Sequence, residues 1–236
     1  MDTPSLTAKT THSIVEMKEL YRLQYRTYCL EKQYLPPSDY PEESESDELD
    51  AYSFQASLWD DSQVPGRLLG CVRLIPPNPL GLPCVNTFPI TEAAGSQERA
   101  AEISRFIVSS ETRSSERMKV FKILCGMTYR LLVTQGIRTC YTVTDERFYR
   151  LLCRMGFPYR QLGPAQPFMG EPFHAWSSRR PLHRYPGYRI TGSTAPYNPD
   201  SACTLHTAGL SSPTLHSFGT NGALFQAHFS VNNSST

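Results

Sequence analysis

Apolar positions recur at helical spacing between Ser13 and Leu30, where Val15, Met17, Leu20, Leu23 and Tyr28 fall roughly on one face. The spacing predicts a helix that the Pro36-Pro37 pair closes off. Runs of β-forming residues then predict strands over Ala51–Trp59, Leu68–Ile75 and Ala101–Ser109. A turn at Val64-Pro65-Gly66-Arg67 separates the first two, and a proline-dense loop runs from Pro76 to Pro89. Ser115 suits the N-cap of a long helix reaching Thr134, with Met118, Phe121, Leu124, Cys125, Leu131 and Leu132 turned inward and Gly136 placed to end it. Arg138–Val143 reads as a short strand. Asp145 then caps a second helix carrying Phe148, Leu151, Leu152 and Met155, stopped by Gly156 and Pro158. Tyr159–Leu162 and Glu171–Trp176 supply the last strands. This order predicts an α/β fold, a mixed central sheet with flanking helices.

The pattern fails near the C-terminus. From Ile190 to Thr236 the only acid or base, histidine aside, is Asp200, and Ser, Thr, Gly, Pro and Asn dominate. Apolar residues there follow neither helical nor strand periodicity, so the segment buries too little surface to offset its ordering entropy. The expected organisation is one domain over 13–176 and a low-complexity, mostly disordered tail over 177–236, with one short apolar piece at Ala223–Ser230. A length of 236 residues and a hydrophobic share of 39% fit one domain diluted by such a tail.

Charge narrows the function classes. Lys plus Arg total 23 and Asp plus Glu 22, a net charge of +1, which argues against a coat for nucleic acid or for an anionic membrane. The first twenty residues lack the pattern of a secretory signal, and no stretch approaches the roughly 20 apolar residues of a membrane span. A cytoplasmic protein without stable membrane insertion is expected. Seven cysteines, none in a C-x-x-C pair, read as buried thiols, and six histidines without ligand spacing predict no metal site.

Polar residues interrupt the apolar strands at three places. Arg73 stands in Gly70-Cys71-Val72-Arg73-Leu74, apolar on both faces, and must be paired or face a cavity. In Glu102-Ile103-Ser104-Arg105, strand alternation puts Glu102 and Ser104 on one face and Arg105 on the other. Asp47 and Asp50, in the acidic run Glu42–Asp50, share a face only if that piece turns helically. Two readings follow. In one, Arg73 and Arg105 neutralise Asp47 and Asp50 in a purely structural network. In the other, the same network lines a substrate pocket and Glu102 is a general base.

Several motifs occur in order: Leu20-Tyr21-Arg22-Leu23 with Tyr25-Arg26, Glu45–Asp50, Gly70–Leu74, Glu102–Phe106 and Thr144–Gly156. Together they resemble the autoinducer-synthase family, acyltransferases of the N-acetyltransferase (GNAT) fold. Tyr28–Lys32 and Arg160–Pro164 resemble the branch of N-acyl amino acid synthases and PEP-CTERM/exosortase-associated acyltransferases. The resemblance spans roughly residues 18–176. It implies that Glu102, with Ser104 and Arg105, is the catalytic motif, Glu102 deprotonating the attacking amine through a water. It implies that Glu45, Asp47 and Asp50 line the amine side, that Arg73 pairs with them, and that Tyr28 packs over the site. No permanently bound cofactor is implied, only an acyl thioester.

Departures shape the expected substrate. Gln24 stands where homoserine-lactone synthases usually carry an arginine, and Gln33-Tyr34-Leu35 replaces a Leu-Gly-Trp setting. Both disfavour S-adenosylmethionine as the amine. Before the long helix, Ser109–Ser115 is no glycine-rich pyrophosphate loop. That fits a donor on acyl carrier protein, with a coenzyme A thioester as the alternative, and Arg113, Arg117 and Lys119 are candidates for meeting the carrier. The expected function is transfer of a fatty-acyl group to the amine of an amino acid or similar small molecule, the acyl chain lying on the sheet against Phe121, Leu124 and Leu131. The alternatives are an acyl-homoserine-lactone synthase and a non-catalytic module that binds acyl groups or carrier protein.

Overall fold

The computed structural model describes residues 5–62, 64–90, 99–178 and 203–204. A single mixed sheet runs in the order β6-β8-β5-β4-β3-β2-β1-β9. Its strands are β1 (Leu6–Thr10), β2 (Phe54–Asp60), β3 (Arg67–Ile75), β4 (Ala100–Val108), β5 (Thr139–Thr144), β6 (Arg160–Gln161), β8 (Glu171–Ser178) and β9 (Cys203–Thr204), with β7 (Gln166–Phe168) paired to β8 off that path. The helices are α1 (Ile14–Tyr25), α2 (Pro83–Thr87), α3 (Ser114–Thr134) and α4 (Glu146–Arg154). Among the described residues only β4 and β5 pair in parallel; α3 supplies the crossover between them, as a parallel connection requires.

The expected elements are present, with instructive shifts. Strand β1 lies ahead of residue 13, where the domain was expected to begin. Its apolar Leu6 and Ala8 alternate inward, and it pairs with β2 along its whole length. The backbone of Cys203–Thr204, in the expected tail, extends the sheet against β1; residues 179–202 and 205–236, the rest of that tail beyond Ser178, lie outside the described residues. Helix α1 gives way to a π-helical turn, Arg26–Glu31. Leu20, Leu23 and Tyr28 are buried as expected, but Val15, in the first turn of α1, is exposed. The proline-dense loop contains α2, which starts at a proline that has no amide to lose. Asp145 caps α4 by accepting the Phe148 N–H at 2.8 Å. Of the cysteines whose side chains are described, Cys29, Cys71, Cys84, Cys125 and Cys140 are buried, and Cys153 is the exposed exception.

Three apolar clusters position the site. The largest fills the face covered by α3 and α4, with Val72, Leu74, Ala101, Phe106, Phe121, Leu124 and Phe148. On the opposite face Leu20, Leu23 and Tyr28 pack on Cys71 and Ile107, and a separate cluster of Leu82, Phe88, Val143 and Phe173 covers the β5–β8 half. Between the last two stands a group of ionised side chains.

Candidate active site

Strand β4 carries a bulge opposite Cys71–Arg73, where Cys71 pairs with Ile107 and Arg73 with Ser104. One residue of β3 therefore faces two of β4, Arg105 and Phe106. Arg105 holds the left-handed conformation at φ 49°, a conformation that costs a non-glycine residue energy unless its surroundings hold it. Ile103 and Phe106 pack towards the α3 cluster, and Ile107 towards α1. Ser104 and Arg105 both turn to the α1 face. The expectation that Arg105 would oppose Ser104 is thereby corrected: the extra residue shifts the alternation by one.

Arg105 donates twice to Glu45, from Nε to Oε2 at 2.9 Å and from Nη2 to Oε1 at 2.5 Å, and lies 3.4 Å from Asp47 Oδ2. Its guanidinium sits 5.0 Å from the Tyr28 ring centroid, a cation–π contact. Arg73 donates from Nε to Ser104 Oγ (2.9 Å) and from Nη1 to Asp47 Oδ1 (2.6 Å) and Asp50 Oδ1 (3.1 Å). Asp47 and Asp50 are presented by a 3-10 turn, Glu48–Tyr52, with Asp47 as its cap, and Glu45 precedes it in the chain. Asp47 Oδ1 accepts the Leu49 N–H, and Asp50 Oδ2 accepts the Asp47 N–H. This helical turn is the condition under which the two aspartates share a face.

Two glutamines complete the network. Gln55 donates to Asp50 Oδ1 at 2.6 Å. The buried Gln24 amide, oriented with its NH2 towards Glu45, donates to Oε2 and to the Glu45 carbonyl oxygen, each at 3.0 Å. The residue read as a departure from the family pattern thus seats a glutamate of the cluster. Gln55 carried no sequence signal.

Three acidic side chains, Glu45, Asp47 and Asp50, surround two guanidinium groups. Burial pushes the Asp47 carboxyl up, but its hydrogen bond to Arg73 and the charges of Arg73 and Arg105 outweigh that and hold it below the usual carboxylate range. Burial wins at Asp50, which lies above that range despite Arg73. It also lifts Tyr21, with help from Asp50, to about 12. Asp47, at 31% exposure, is the most open of the three; Asp50 and Glu45 stand at 7% and 1%.

Glu102, on β4 beside Arg73 and Ser104, is almost wholly buried. Its Oε2 accepts the Cys84 N–H at 2.8 Å. Burial drives its carboxyl up to about 7, against the opposing pull of the Cys84 N–H and of Arg73. The Cys84 thiol is itself pushed up by burial and by Glu102, which makes it a poor nucleophile.

The cavity has a volume of about 210 Å³ and is lined by Asp47, Arg73, Glu102, Ser104, Arg105 and Tyr28 on one side and by Phe88, Val143, Phe168 and Met169 on another. A narrower apolar slot, with about 30 Å³ of open space, lies on the α3–α4 face between Phe106, Cys125, Tyr129, Leu132, Phe148 and Tyr159. Phe121, Leu124 and Leu131, the expected acyl-chain residues, are packed into the core, and α3 lines the slot through Cys125, Thr128, Tyr129 and Leu132 instead. Ile103 and Ser104 border both spaces. The β4–β5 ladder stops there, at Ile103 and Thr142, although β4 continues to Val108. Cavity and slot thus approach each other from opposite faces of the sheet where the two strands part.

Ahead of α3, Arg117 is buried and donates to the carbonyls of Thr112 (3.0 Å) and Ser110 (2.6 Å). It is structural, not a surface charge for a carrier. Among the described residues no group of three or more His, Cys, Asp or Glu gathers at metal-binding distance, and no helix is long and apolar enough to cross a membrane.

A parallel strand pair that parts beyond Ile103 and Thr142, joined by the crossover helix α3 that runs between the two strands, is the arrangement of a GNAT fold. The family model described as acetyltransferase (GNAT) domain matches residues 23–122. Among solved structures, the chain is similar to the AHL synthase LasI (20% identity, TM-score 0.57, covering 74% of this chain and 90% of that one). It is also similar to FeeM, an N-acyl amino acid synthase from uncultured soil microbes (18%, 0.57, 76% and 93%). A third likeness is to BjaI, a CoA-dependent acyl-homoserine lactone synthase solved with SAM and isopentyl-CoA (17%, 0.56, 73% and 82%). No curated protein is detectably similar in sequence.

Proposed function

We propose that the protein transfers a fatty-acyl group from an acyl thioester, carried on acyl carrier protein, to the amine of an amino acid or similar small molecule. The observation that carries this reading is Glu102: a buried carboxylate raised to about 7, in a cavity beside the parting of β4 and β5. A base with that affinity for protons works near neutral pH.

The acceptor enters as an ammonium, drawn by the excess of carboxylate around Asp47. Glu102 takes one proton from it, directly or through a water. The neutral nitrogen attacks the thioester carbonyl, whose oxygen gains charge and is met by backbone N–H groups where the strands part. The intermediate collapses with loss of the C–S bond. The sulfur leaves as thiolate and takes up the second proton, which the nitrogen releases as the C–S bond breaks, and an N-acyl amide remains. Ser104 and Arg105 hold the polar wall in this scheme, while Tyr28, Glu45, Asp47, Asp50 and Arg73 shape the acceptor side. The acyl chain passes between β4 and β5 into the apolar slot.

The tying of Ser110 and Thr112 carbonyls to Arg117 supports a carrier-protein donor over coenzyme A, since carbonyl oxygens and a buried guanidinium occupy the place of a phosphate cradle. The cavity supports a small acceptor. About 150 Å³ holds a benzene, and pockets for drug-sized ligands run from roughly 300 Å³ upward, so 210 Å³ suits an amino acid better than a nucleoside-bearing S-adenosylmethionine. An association with a PEP-CTERM/exosortase system rests on the likeness at Tyr28–Lys32 and Arg160–Pro164. The test is incubation of the purified protein with acyl-carrier-protein and acyl-CoA thioesters and an amino-acid mixture, read by mass spectrometry. N-acyl amino acids made by the wild type and lost in Glu102→Gln are expected. Formation of a homoserine lactone from S-adenosylmethionine, or full activity of Glu102→Gln, would overturn the reading.

A further inference from the structure

Building on that reading of the site, we infer that the acceptor is an amine bearing an apolar or aromatic side group, whether an apolar amino acid or the corresponding amine without its carboxylate, and that Phe88, Phe168 and Met169 select it. The cavity has two chemically different ends. Its ion cluster lies over β3 and β4, with Asp47 turned into the open space. The other end lies over β5 and β8, where Phe88, Val143 and Phe168 belong to the apolar cluster of that half of the sheet. An ammonium held at Asp47 and Glu102 directs the remainder of the acceptor towards this second end.

The second end is assembled from parts made for shape rather than charge. Phe168 meets Phe88 edge-on at 5.6 Å and Phe173 at 5.7 Å, and Phe173 in turn meets Tyr34 at 6.0 Å. Phe168 and Met169 sit at the tip of a hairpin, because β7 pairs with β8 and stands off the main order of the sheet. Met169 and Gly170 both adopt positive φ, 51° and 81°, as a two-residue hairpin loop demands. Nothing lies within 4 Å of a Cβ built on Gly170, so the outer side of this tip is open. Pro83, Thr87, Phe88, Val143, Phe168 and Met169 offer no charge at this end. A charged acceptor side chain would lose its water there with no partner in return. An aromatic or branched one finds edge-on rings and an adaptable thioether.

The experiment measures kcat and KM for glycine, leucine, phenylalanine, phenethylamine, glutamate and lysine with one acyl-carrier-protein thioester, in the full chain and in Met169→Ala, Met169→Gln and Phe168→Ala. Leucine and phenylalanine are expected to exceed glycine at least tenfold in kcat/KM, with glutamate and lysine lowest. Each variant is expected to reduce the phenylalanine-to-glycine preference about tenfold, through KM for phenylalanine. Met169, at an open hairpin tip, keeps the test usable if Phe168→Ala fails to fold. Phenethylamine matching phenylalanine assigns the free amine as sufficient, and a tenfold loss assigns the amino acid; either supports recognition of the side group. Acylation of glycine, glutamate or lysine at least as well as phenylalanine, or variants that leave the preference untouched, overturns the inference while acyl transfer stands. Acylation of no amine would sink the transfer reaction itself, and the inference with it.

Discussion

Ser104 and Arg105 are neighbours in the chain, yet both side chains leave β4 on the α1 face of the sheet. One hydroxyl accepts Arg73 and one guanidinium binds Glu45, so two consecutive residues hold opposite sides of a single ionic group. The left-handed backbone at Arg105 makes this possible, and the charge network it completes holds that backbone in place.

The first prediction concerns that pair. Arg105 is the guanidinium that answers Glu45, which is 1% exposed and meets no other cation among the described residues. Arg105→Met leaves the carboxylate buried with only the Gln24 amide and costs about 3–5 kcal/mol, the usual consequence of removing one partner of a buried pair. The urea midpoint measures it. Arg105→Lys keeps the charge but not the two-pronged geometry and loses less. A cost for Arg105→Met well under about 1 kcal/mol would mean that Glu45 does not depend on it.

A second prediction lies on the opposite face. Gly70 faces Val108 across the β3–β4 ladder, and a Cβ there would collide with the Ile107 carbonyl oxygen and reach Leu124 Cδ1 at 3.0 Å. The backbone oxygen cannot move away without breaking the ladder beside the bulge. Gly70→Ala is therefore expected to destabilise by about 1–3 kcal/mol, the range for an overpacked core. Unchanged thermal unfolding would show that β4 shifts freely at this point.

The sequence made the strands and helices legible because their periodicity is local. In β3 the simple alternation of apolar and polar residues is missing: Val72 and Leu74 face α3, while Cys71 and Arg73 face α1. There the lone arginine marked the buried site. Asp47 and Asp50 were legible as a pair, conditional on a helical turn. The bulge was not, since no glycine or proline announces it and its cause is a set of contacts more than fifty residues away at Glu45 and Asp47. Cys84 and Gln55 were equally silent: one acts through its backbone N–H, the other through an amide in an otherwise ordinary strand.

The third prediction separates charge from structure at Asp47. Asparagine is as good an N-cap as aspartate, so Asp47→Asn keeps an oxygen for the Leu49 N–H while removing the charge that faces the cavity. A lost hydrogen bond to a charged group is worth about 1.5–3 kcal/mol. KM for the amine is expected to rise roughly ten- to a hundredfold, with a circular dichroism spectrum like that of the wild type. A variant with unchanged KM would place the ammonium elsewhere.

The last prediction joins stability and activity at Glu102. Its carboxyl is raised from an ordinary 4.5 to about 7 by burial. Between those two pH values the folded state holds a proton that the unfolded state has released, so stability falls as pH rises from about 4.5 to about 7 and then levels off. The shift of about 2.5 units corresponds to about 3 kcal/mol lost by pH 8, at 1.36 kcal/mol per unit. Over the same window the base becomes ionised, so kcat/KM rises with pH and reaches a plateau above about 7. Glu102→Gln has neither behaviour: it is expected to be more stable than the wild type at pH 8, by up to about 3 kcal/mol, to lose that advantage towards pH 4.5, and to lose the ascending limb together with most of its activity. Denaturation midpoints and rates collected across pH 5–9 test both halves. A wild-type enzyme whose stability does not fall over the interval, or a glutamine variant that retains the ascending limb, would remove Glu102 from the proton transfer, because one buried carboxyl cannot serve as the base without leaving its mark on both curves.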